Sequence, residues 1–460
     1  MKSEIQRVLI VSYTFGATQE IGARRMNALA AFLAARGHSV DVIYWQDPAF
    51  AEDLSSSLFQ EWPELRLNAV RNSPSRAIRW LIAAKKELLR ITGNGQNNGS
   101  KATELHCAPE TSDPNTAATG FFGALWRIVH RAFMSTVFSI DGKKGWTIRA
   151  ARLGLRLNRE KRYSCVIASA PSVVACLVAT WLSKRLNIPA ALDLRDPWNS
   201  NAMIPAPLAI VRRLDIFLER WCLQHASLIT LAAPGIKRRA LPRHADLLSM
   251  MHVVLNGYED CDRIADAMPT GTLNMLYAGT LYMQRNPFPL LAALARLARA
   301  PGVDRQKLRF TLIGECESWG GVRLVDWCRE HQVEDLVSIL PPIPRQELAS
   351  LRRAANVLVN FSQGQPEQIP AKTFEMLASG RYIMTLAEAD SDTARILTAA
   401  GIPGVVDDRS PATIDSALAE FYVRLVRAES AVKSLEPDIV QFSRANQNEA
   451  WYTLLQGMRP

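Results

Sequence analysis

Short apolar runs alternate with amphipathic stretches along most of the chain, at the spacing of β-α-β units. In the N-terminal half the pattern predicts strands at residues 8–11, 40–44, 165–168, 190–194, 228–231 and 252–255. Three helices are predicted between them. One covers about residues 22–36, one ends at about residue 186, and one covers about residues 207–225. Strands that alternate with helices indicate a parallel sheet, because parallel neighbours need a crossover connection.

A second β-α series follows the turn signal at residues 256–258. Strands are predicted at residues 275–279, 310–314, 357–360 and 382–385, and a last helix at about 437–457. The predicted fold class is α/β, with two Rossmann-like doubly wound domains facing a central cleft. The predicted boundaries are 1–256 for the N-terminal domain, 257–430 for the C-terminal domain, and 431–460 for a helix that returns to the first domain. Ligands of such sheets bind at the carboxyl ends of the strands.

The regular alternation breaks at a basic insertion, placed at about residues 71–140. From residue 71 to residue 162 there are 17 Lys and Arg against 6 Asp and Glu, so this zone accounts for the net charge of +10. Residues 76–91 and 121–137 combine arginines with aromatic and aliphatic side chains, which is typical of a membrane-facing surface. An ordinary core-facing helix with solvated charges remains the alternative.

Composition narrows the class of protein. With 48% hydrophobic and 21% charged residues, the 460-residue chain is globular. Its seven cysteines form no C-x-x-C pair and its seven histidines are dispersed, which indicates free thiols in a reducing compartment and predicts no metal site. The sequence contains neither a signal-peptide h-region nor a run of about 20 apolar residues. We therefore expect a cytoplasmic protein, peripheral at the inner membrane face, and no nucleic-acid partner, since no nucleic-acid-binding signature accompanies the charge.

The sharpest chemical pattern is a pair of glutamates eight positions apart, Glu367 and Glu375, at the start of a predicted helix. Carboxylates accept hydrogen bonds from sugar hydroxyls. Lys372 lies between them at the helix N-terminus, where its cation and the helix dipole both favour a phosphate. The pattern predicts a site for a phosphorylated sugar compound.

The chain resembles a retaining glycosyltransferase of family 4, with the GT-B fold, from the subgroup that assembles bacterial polysaccharides. Five segments in the correct order carry the resemblance: the first strand, loop and helix at 11–38, Asp-Leu-Arg-Asp-Pro-Trp at 193–198, Leu-Asn-Gly-Tyr at 255–258, the glycine loop at 277–285, and E-x7-E followed by Met-Leu-Ala-Ser-Gly at 367–380. The family implies a nucleotide-sugar donor held by the C-terminal domain, with no other cofactor and no metal.

The resemblance also implies roles for single residues. Glu375 would hold the nucleotide ribose, and Glu367 would contact the transferred sugar. Arg285 would bind the donor diphosphate, with a solvated surface charge as the alternative. Gly22 would let the first loop approach that diphosphate, since glycine has no Cβ. Gly279 belongs to the glycine loop and is assigned to donor binding.

Two departures from the family pattern alter the expected site. Thr280, also assigned to donor binding, occupies the position of a usual phosphate-binding arginine, and Lys372 is the candidate to replace that charge. The usual histidine after residues 165–169 is missing, so Asp196 is the candidate to orient or deprotonate the acceptor, and Arg195 to bind a phosphate. Asp193 is expected to cap the strand or pair with Arg195, and a buried ion pair at the strand end is the structural alternative for the whole cluster.

The implied acceptor is a polyprenyl-diphosphate-linked sugar or another glycan precursor, reached from an anionic membrane surface. Two other functions stay open. One is a non-catalytic GT-B subunit of a polysaccharide assembly complex, favoured by Thr280 and the missing histidine. The other is a GT-B sugar-nucleotide epimerase, which would need a carboxylate and histidine set.

Overall fold

The computed structural model of the protein describes residues 6–16, 21–45, 62–71, 144–170, 172–198, 209–240, 242–264, 267–282, 284–407, 409–427 and 439–458. These residues form two compact units. The first unit comprises residues 1–232, 239–254 and 448–460, and the second comprises residues 233–238 and 255–447. Residues 448–460 therefore cluster with the first unit, although they are last in the chain.

The first half of the chain forms the following strands and helices, in order: β1 (Arg7–Val11), α1 (Ile21–Ala35), β2 (Ser39–Trp45), β3 (Leu65–Val70), α2 (Lys144–Glu160), β4 (Cys165–Ala170), α3 (Val173–Leu186), β5 (Ala190–Leu194), α4 (Ala209–Gln224), β6 (Leu228–Leu231), α5 (Pro234–Ala240) and β7 (Met251–Val253). The seven strands make one parallel sheet in the order β3-β2-β1-β4-β5-β6-β7. Strands β1, β4 and β5 are buried along their whole length, as central strands of a sheet covered on both faces must be.

The second half continues with β8 (Leu273–Ala278), α6 (Phe288–Ala298), β9 (Leu308–Ile313), β10 (Ser318–Trp319), β11 (Val322–Arg323), α7 (Leu324–Glu330), β12 (Val337–Leu340), α8 (Arg345–Ala354), β13 (Val357–Phe361), α9 (Ala371–Ala378), β14 (Tyr382–Leu386), α10 (Asp392–Ala399), β15 (Val405–Val406), α11 (Pro411–Val426) and α12 (Arg444–Gly457). Six of these strands form a second parallel sheet, β12-β9-β8-β13-β14-β15, and β10 pairs with β11 as a small antiparallel hairpin. The two parallel-sheet units confirm the predicted α/β fold class with two Rossmann-like domains.

Each unit has its own apolar core. In the first unit, one face of the sheet packs against α1 and the carboxyl-terminal helix α12, with Trp451 buried at this contact. In the second unit, α6 and α11 pack together over the sheet, and Phe310 and Phe421 are buried in that core. In each unit, polar loops leave the sheet at the carboxyl ends of the strands. The candidate site residues lie at this end of the sheet.

Three strands of the two parallel sheets were not predicted from the apolar pattern: β3, β12 and β15. All three lie at sheet edges. An edge strand is covered less than a central strand, and most residues of β3 and β12 are at least partly exposed. Without a continuous buried run, such segments do not stand out in the sequence.

Candidate functional site

Two glycines bring the ends of β8 and β9 close together in the second unit. Gly314 follows β9 at φ +120°, and a Cβ at this position would collide with the carbonyl oxygen of Gly279, which follows β8. A Cβ on Gly279 would in turn lie 3.2 Å from the Lys372 Nζ. Close approach therefore requires glycine at position 314, and the resulting turn places a partly buried stretch of backbone beside a lysine.

Lys372 is the second residue of α9, and its side chain points back to this glycine turn. The side chain is 8% exposed, and its Nζ has no hydrogen-bond partner among the described residues. It lies 4.1 Å from the centre of the Tyr277 ring, in a cation–π contact. Burial, and secondarily the charge of Arg285, holds the pKa of Lys372 well below its usual value of 10.5.

Arg285 lies at the same end of β8 and is equally buried, at 8% exposure. The two hydrogen bonds of its guanidinium to described residues are long: Nη1 lies 3.5 Å from the Thr280 carbonyl oxygen and Nη2 lies 3.5 Å from the Gln365 Oε1. Its Nε finds no partner within the described part of the chain. The carbonyl of Thr280 already accepts a 2.9 Å hydrogen bond from the Tyr277 hydroxyl. Arg285 therefore keeps most of its hydrogen-bonding capacity for another acceptor.

Two buried cations thus share one end of the sheet. Each costs desolvation energy, and the Arg285 charge further disfavours the Lys372 ammonium. Protein cations in this condition are stabilised by an anion that offers several acceptor oxygens. A diphosphate has the charge and the number of oxygens to do this.

The second glutamate of the pair, Glu375, is one turn along α9 from Lys372. Its Oε2 accepts a 2.8 Å hydrogen bond from the Arg352 Nη2, and its side chain is 10% exposed. Its negative charge raises the pKa of nearby Asp262, after the larger effect of burial. Arg352 therefore holds Glu375 in place, and the carboxylate has further lone pairs that can accept hydrogen bonds from hydroxyl groups.

The first glutamate, Glu367, lies on the loop between β13 and α9 and is half-buried. The amino-terminal turn of α5 packs against this loop, since a Cβ on Gly235 would collide with the Glu367 backbone. The carboxylate of Asp392 accepts a hydrogen bond from the Gly235 backbone N–H, while the Asp392 backbone N–H donates to Pro366 at 2.9 Å. The position of Glu367 is thus fixed through its backbone.

The remaining predicted site residues, Gly22, Arg195 and Asp196, belong to the first unit. Gly22 is the second residue of α1. Arg195 and Asp196 follow β5, and the Arg195 Nε donates a 2.7 Å hydrogen bond to the Ala170 carbonyl at the end of β4. Burial raises the pKa of Asp196, with the charge of Arg195 acting in the opposite direction. A carboxylate of raised pKa is a stronger base than an exposed one.

The expectation that Asp193 pairs with Arg195 is wrong. Asp193 is fully buried, and its two oxygens accept hydrogen bonds of 3.0 and 2.9 Å from Arg25 of α1. Ser169 and Thr230, its register neighbours on β4 and β6, donate two more, at 3.0 and 2.7 Å. The Asp193 carboxylate thus connects α1 to β4, β5 and β6. For Asp193 this matches the structural alternative, a buried ion pair at the strand end.

Sequence reasoning missed three residues of these arrangements: Tyr277, Arg352 and Arg25. Tyr277 lies within the apolar run of the strand predicted at residues 275–279 and resembles a core residue, and Arg352 lies on a helix distant in sequence from Glu375. Arg25 was visible, because it lies in the segment that carries the family resemblance, but its partner could not be read from the sequence.

The basic segments 76–91 and 121–137 lie outside the described residues, so their predicted role stays a prediction. Among the described residues, no helix is long and apolar enough to cross a membrane. Within the same residues, no group of His, Cys, Asp or Glu side chains is placed to hold a metal ion.

Known proteins show the same architecture. HepE from Anabaena, solved in complex with UDP, superposes with a TM-score of 0.54 over 98% of this chain and 100% of its own, at 12% identity. Sucrose-phosphate synthase from Thermosynechococcus elongatus gives a TM-score of 0.54 over 98% and 94%, at 15% identity. A glycosyltransferase from Rickettsia africae gives 0.56 over 99% and 94%, at 10% identity. At these identities the likeness shows the fold alone, and that fold is GT-B.

Sequence comparison reaches a smaller part of the chain. A stretch of 96 residues is 36% identical to D-inositol 3-phosphate glycosyltransferase from Pseudarthrobacter chlorophenolicus. It covers 20% of this chain and 22% of that protein, so the match spans about a fifth of either. No family model matches the chain.

Proposed function

We propose that the protein is a glycosyltransferase that takes its sugar from a nucleotide-sugar donor bound by the second unit. The observation that carries the proposal is the pair of buried cations, Lys372 and Arg285, beside the backbone turn at Gly279. They are suited to bind a diphosphate. Further support comes from the GT-B fold and from proteins that share it, such as HepE, whose structure was solved in complex with UDP.

The chemistry we propose breaks the bond between the sugar anomeric carbon and the diphosphate oxygen, and forms a bond from that carbon to an acceptor hydroxyl oxygen. Negative charge grows on the leaving diphosphate. Lys372 and Arg285 would stabilise this charge more strongly in the transition state than in the bound donor, and this difference is what accelerates the reaction. The acceptor proton passes to the leaving diphosphate in the retaining, front-face route implied by the family resemblance.

The other site residues take supporting roles in this proposal. Glu375, held by Arg352, accepts hydrogen bonds from the ribose, and Glu367 contacts the transferred sugar. In the first unit, Asp196 orients the acceptor hydroxyl, whose proton passes to the leaving diphosphate, and Arg195 binds a phosphate of the acceptor. The acceptor we propose is a polyprenyl-diphosphate-linked sugar or another glycan precursor.

A thermal-shift panel of nucleoside diphosphates and the matching monophosphates tests the donor site. A ligand at about 100 times its Kd adds about 2.7 kcal/mol to the folded state. We expect at least one diphosphate to raise the melting temperature and its monophosphate to raise it much less, because only the diphosphate reaches both cations. Equal shifts for the two, or none for any nucleotide, would contradict the proposal.

A further inference from the structure

Three neighbouring helices of the first unit share one face of its sheet. The chain moves along the sheet from β3 to β4, β5 and β6 through α2, α3 and α4. Since parallel crossovers are right-handed, three connections that move in one direction place their helices on the same face. The helices also contact one another in that order, α2 with α3 and α3 with α4.

This face presents large apolar side chains to solvent. Phe217 is 63% exposed and Leu214 is 45% exposed on α4, and Trp181 is 43% exposed on α3. Leu214 and Phe217 are three residues apart, so they share one side of their helix. Trp181 lies on α3, which contacts α4, the helix that carries Phe217.

Most of helix α4 is not fully covered by packing within the unit. Of its described side chains, only Glu219, Cys222 and Leu223 are buried. Its carboxyl-terminal half therefore docks on the unit, while Leu214 and Phe217 lie on a side that contributes nothing to the core. Exposed apolar side chains are common one at a time, but several on one face mark an interaction surface.

The helices that form this face are strongly basic. The three helices carry ten Lys and Arg against three acidic residues, a surplus of seven. The cations flank the apolar side chains: Arg212 and Arg213 precede Leu214, and Lys184 and Arg185 follow Trp181 by one helical turn. Helix α2 adds a row of arginines with Ile148, itself 58% exposed.

We propose that this apolar-basic face, formed by α2, α3 and α4, docks on an anionic lipid bilayer. Aromatic and aliphatic side chains enter the boundary between headgroups and acyl chains, and the surrounding cations contact the lipid phosphates. Charge complementarity favours this occupant over a second copy of the chain, because two such faces would bring like charges together. The surface is separate from the donor site and does not depend on glycosyl transfer.

Vesicle co-sedimentation of the full-length protein tests the proposal. The probes are vesicles of equal parts phosphatidylcholine and phosphatidylglycerol, with pure phosphatidylcholine as the comparison. The variant is the double substitution Leu214→Ser and Phe217→Ser, and the matched control is Val423→Ser, which changes an apolar residue 51% exposed on α11 of the second unit. All three side chains are solvent-exposed, so the variants should melt like the wild type.

We expect the wild type and the control to sediment with the anionic vesicles, and the double variant to partition at least about tenfold less, since it loses two large apolar groups. Replacing Arg212 and Arg213 with Glu should weaken binding to anionic vesicles, by roughly fivefold or more per cation. Nucleotide binding should be unchanged in both variants, so the donor site is judged separately. Failure of the wild type to bind anionic vesicles, or equal binding by the double variant, would overturn the proposal. So would a wild-type dimer in light scattering that the double variant converts to monomer.

Discussion

Replacing Lys372 with Met should weaken binding of a nucleoside diphosphate by roughly 10- to 150-fold. The lysine Nζ is buried and unsatisfied among the described residues, so a diphosphate oxygen gains a charge-assisted hydrogen bond from it. Such a bond contributes about 1.5–3 kcal/mol, which corresponds to that range of affinity. The free variant should be as stable as the wild type or more stable, because methionine fills similar space without the cost of a buried charge.

The pH dependence of binding gives this prediction a second readout. Burial and Arg285 lower the pKa of Lys372 in the free protein, and a bound diphosphate must raise it again. Between these two pKa values binding takes up a proton, so affinity should fall as pH rises, by up to about tenfold per pH unit. Stability of the free protein should rise with pH over the range from the lowered pKa to about 10.4, because there the unfolded state binds more protons.

Isothermal titration calorimetry measures both effects. Titrations above about pH 7, where the phosphates are fully ionised, should be run in two buffers of different ionisation enthalpy to count the protons taken up. The matched control is Lys307→Met, at an exposed lysine of the same unit. The reasoning is refuted if Lys372→Met binds like the wild type, or if its proton uptake equals that of the wild type while affinity falls.

Three other substitutions test the rest of the site. Glu375→Ala should cost about 1–3 kcal/mol of nucleotide affinity by removing the ribose acceptor, and unchanged affinity in the same titration would remove it from the site. Arg285→Ala should lower turnover more than it lowers donor affinity, because its charge counts most as the diphosphate leaves; equal turnover would exclude it. Gly235→Ala should destabilise the protein by about 1–3 kcal/mol despite better helix propensity, since the new Cβ meets the Glu367 backbone. Gly457→Ala, where nothing lies within 4 Å of the new Cβ, is the control, and equal melting temperatures would contradict this contact.

The central strands and their order of appearance could be predicted from apolar runs, because a parallel sheet buries those runs on both faces. Strand β5 was predicted with its observed bounds, 190–194. The edge strands β3, β12 and β15 could not, since partial exposure removes the run. Sequence patterns therefore identified the architecture through its most buried elements.

Site chemistry was predictable in part. The spacing of Glu367, Lys372 and Glu375 pointed to one loop and helix, and they do lie there. What the spacing could not supply was the three-dimensional partner of each charge. Arg352 meets Glu375 from another helix, and Arg25 reaches Asp193 across 168 positions of sequence. Such pairs depend on the packing of distant elements, so they emerge only from the fold.

The central claim is that this protein transfers a sugar, and a radiolabelled transfer assay tests it most directly. Purified protein is incubated with a panel of nucleotide-sugars labelled in the sugar, together with a bacterial lipid extract, and the label is counted in the lipid and glycan fractions. We predict that one donor passes its label to an acceptor with release of the nucleoside diphosphate, and that the double variant Arg285→Ala, Lys372→Met loses this transfer while it stays folded. Label that remains on every donor, in a protein that demonstrably binds the nucleotide, would contradict the claim and identify a non-catalytic GT-B subunit instead.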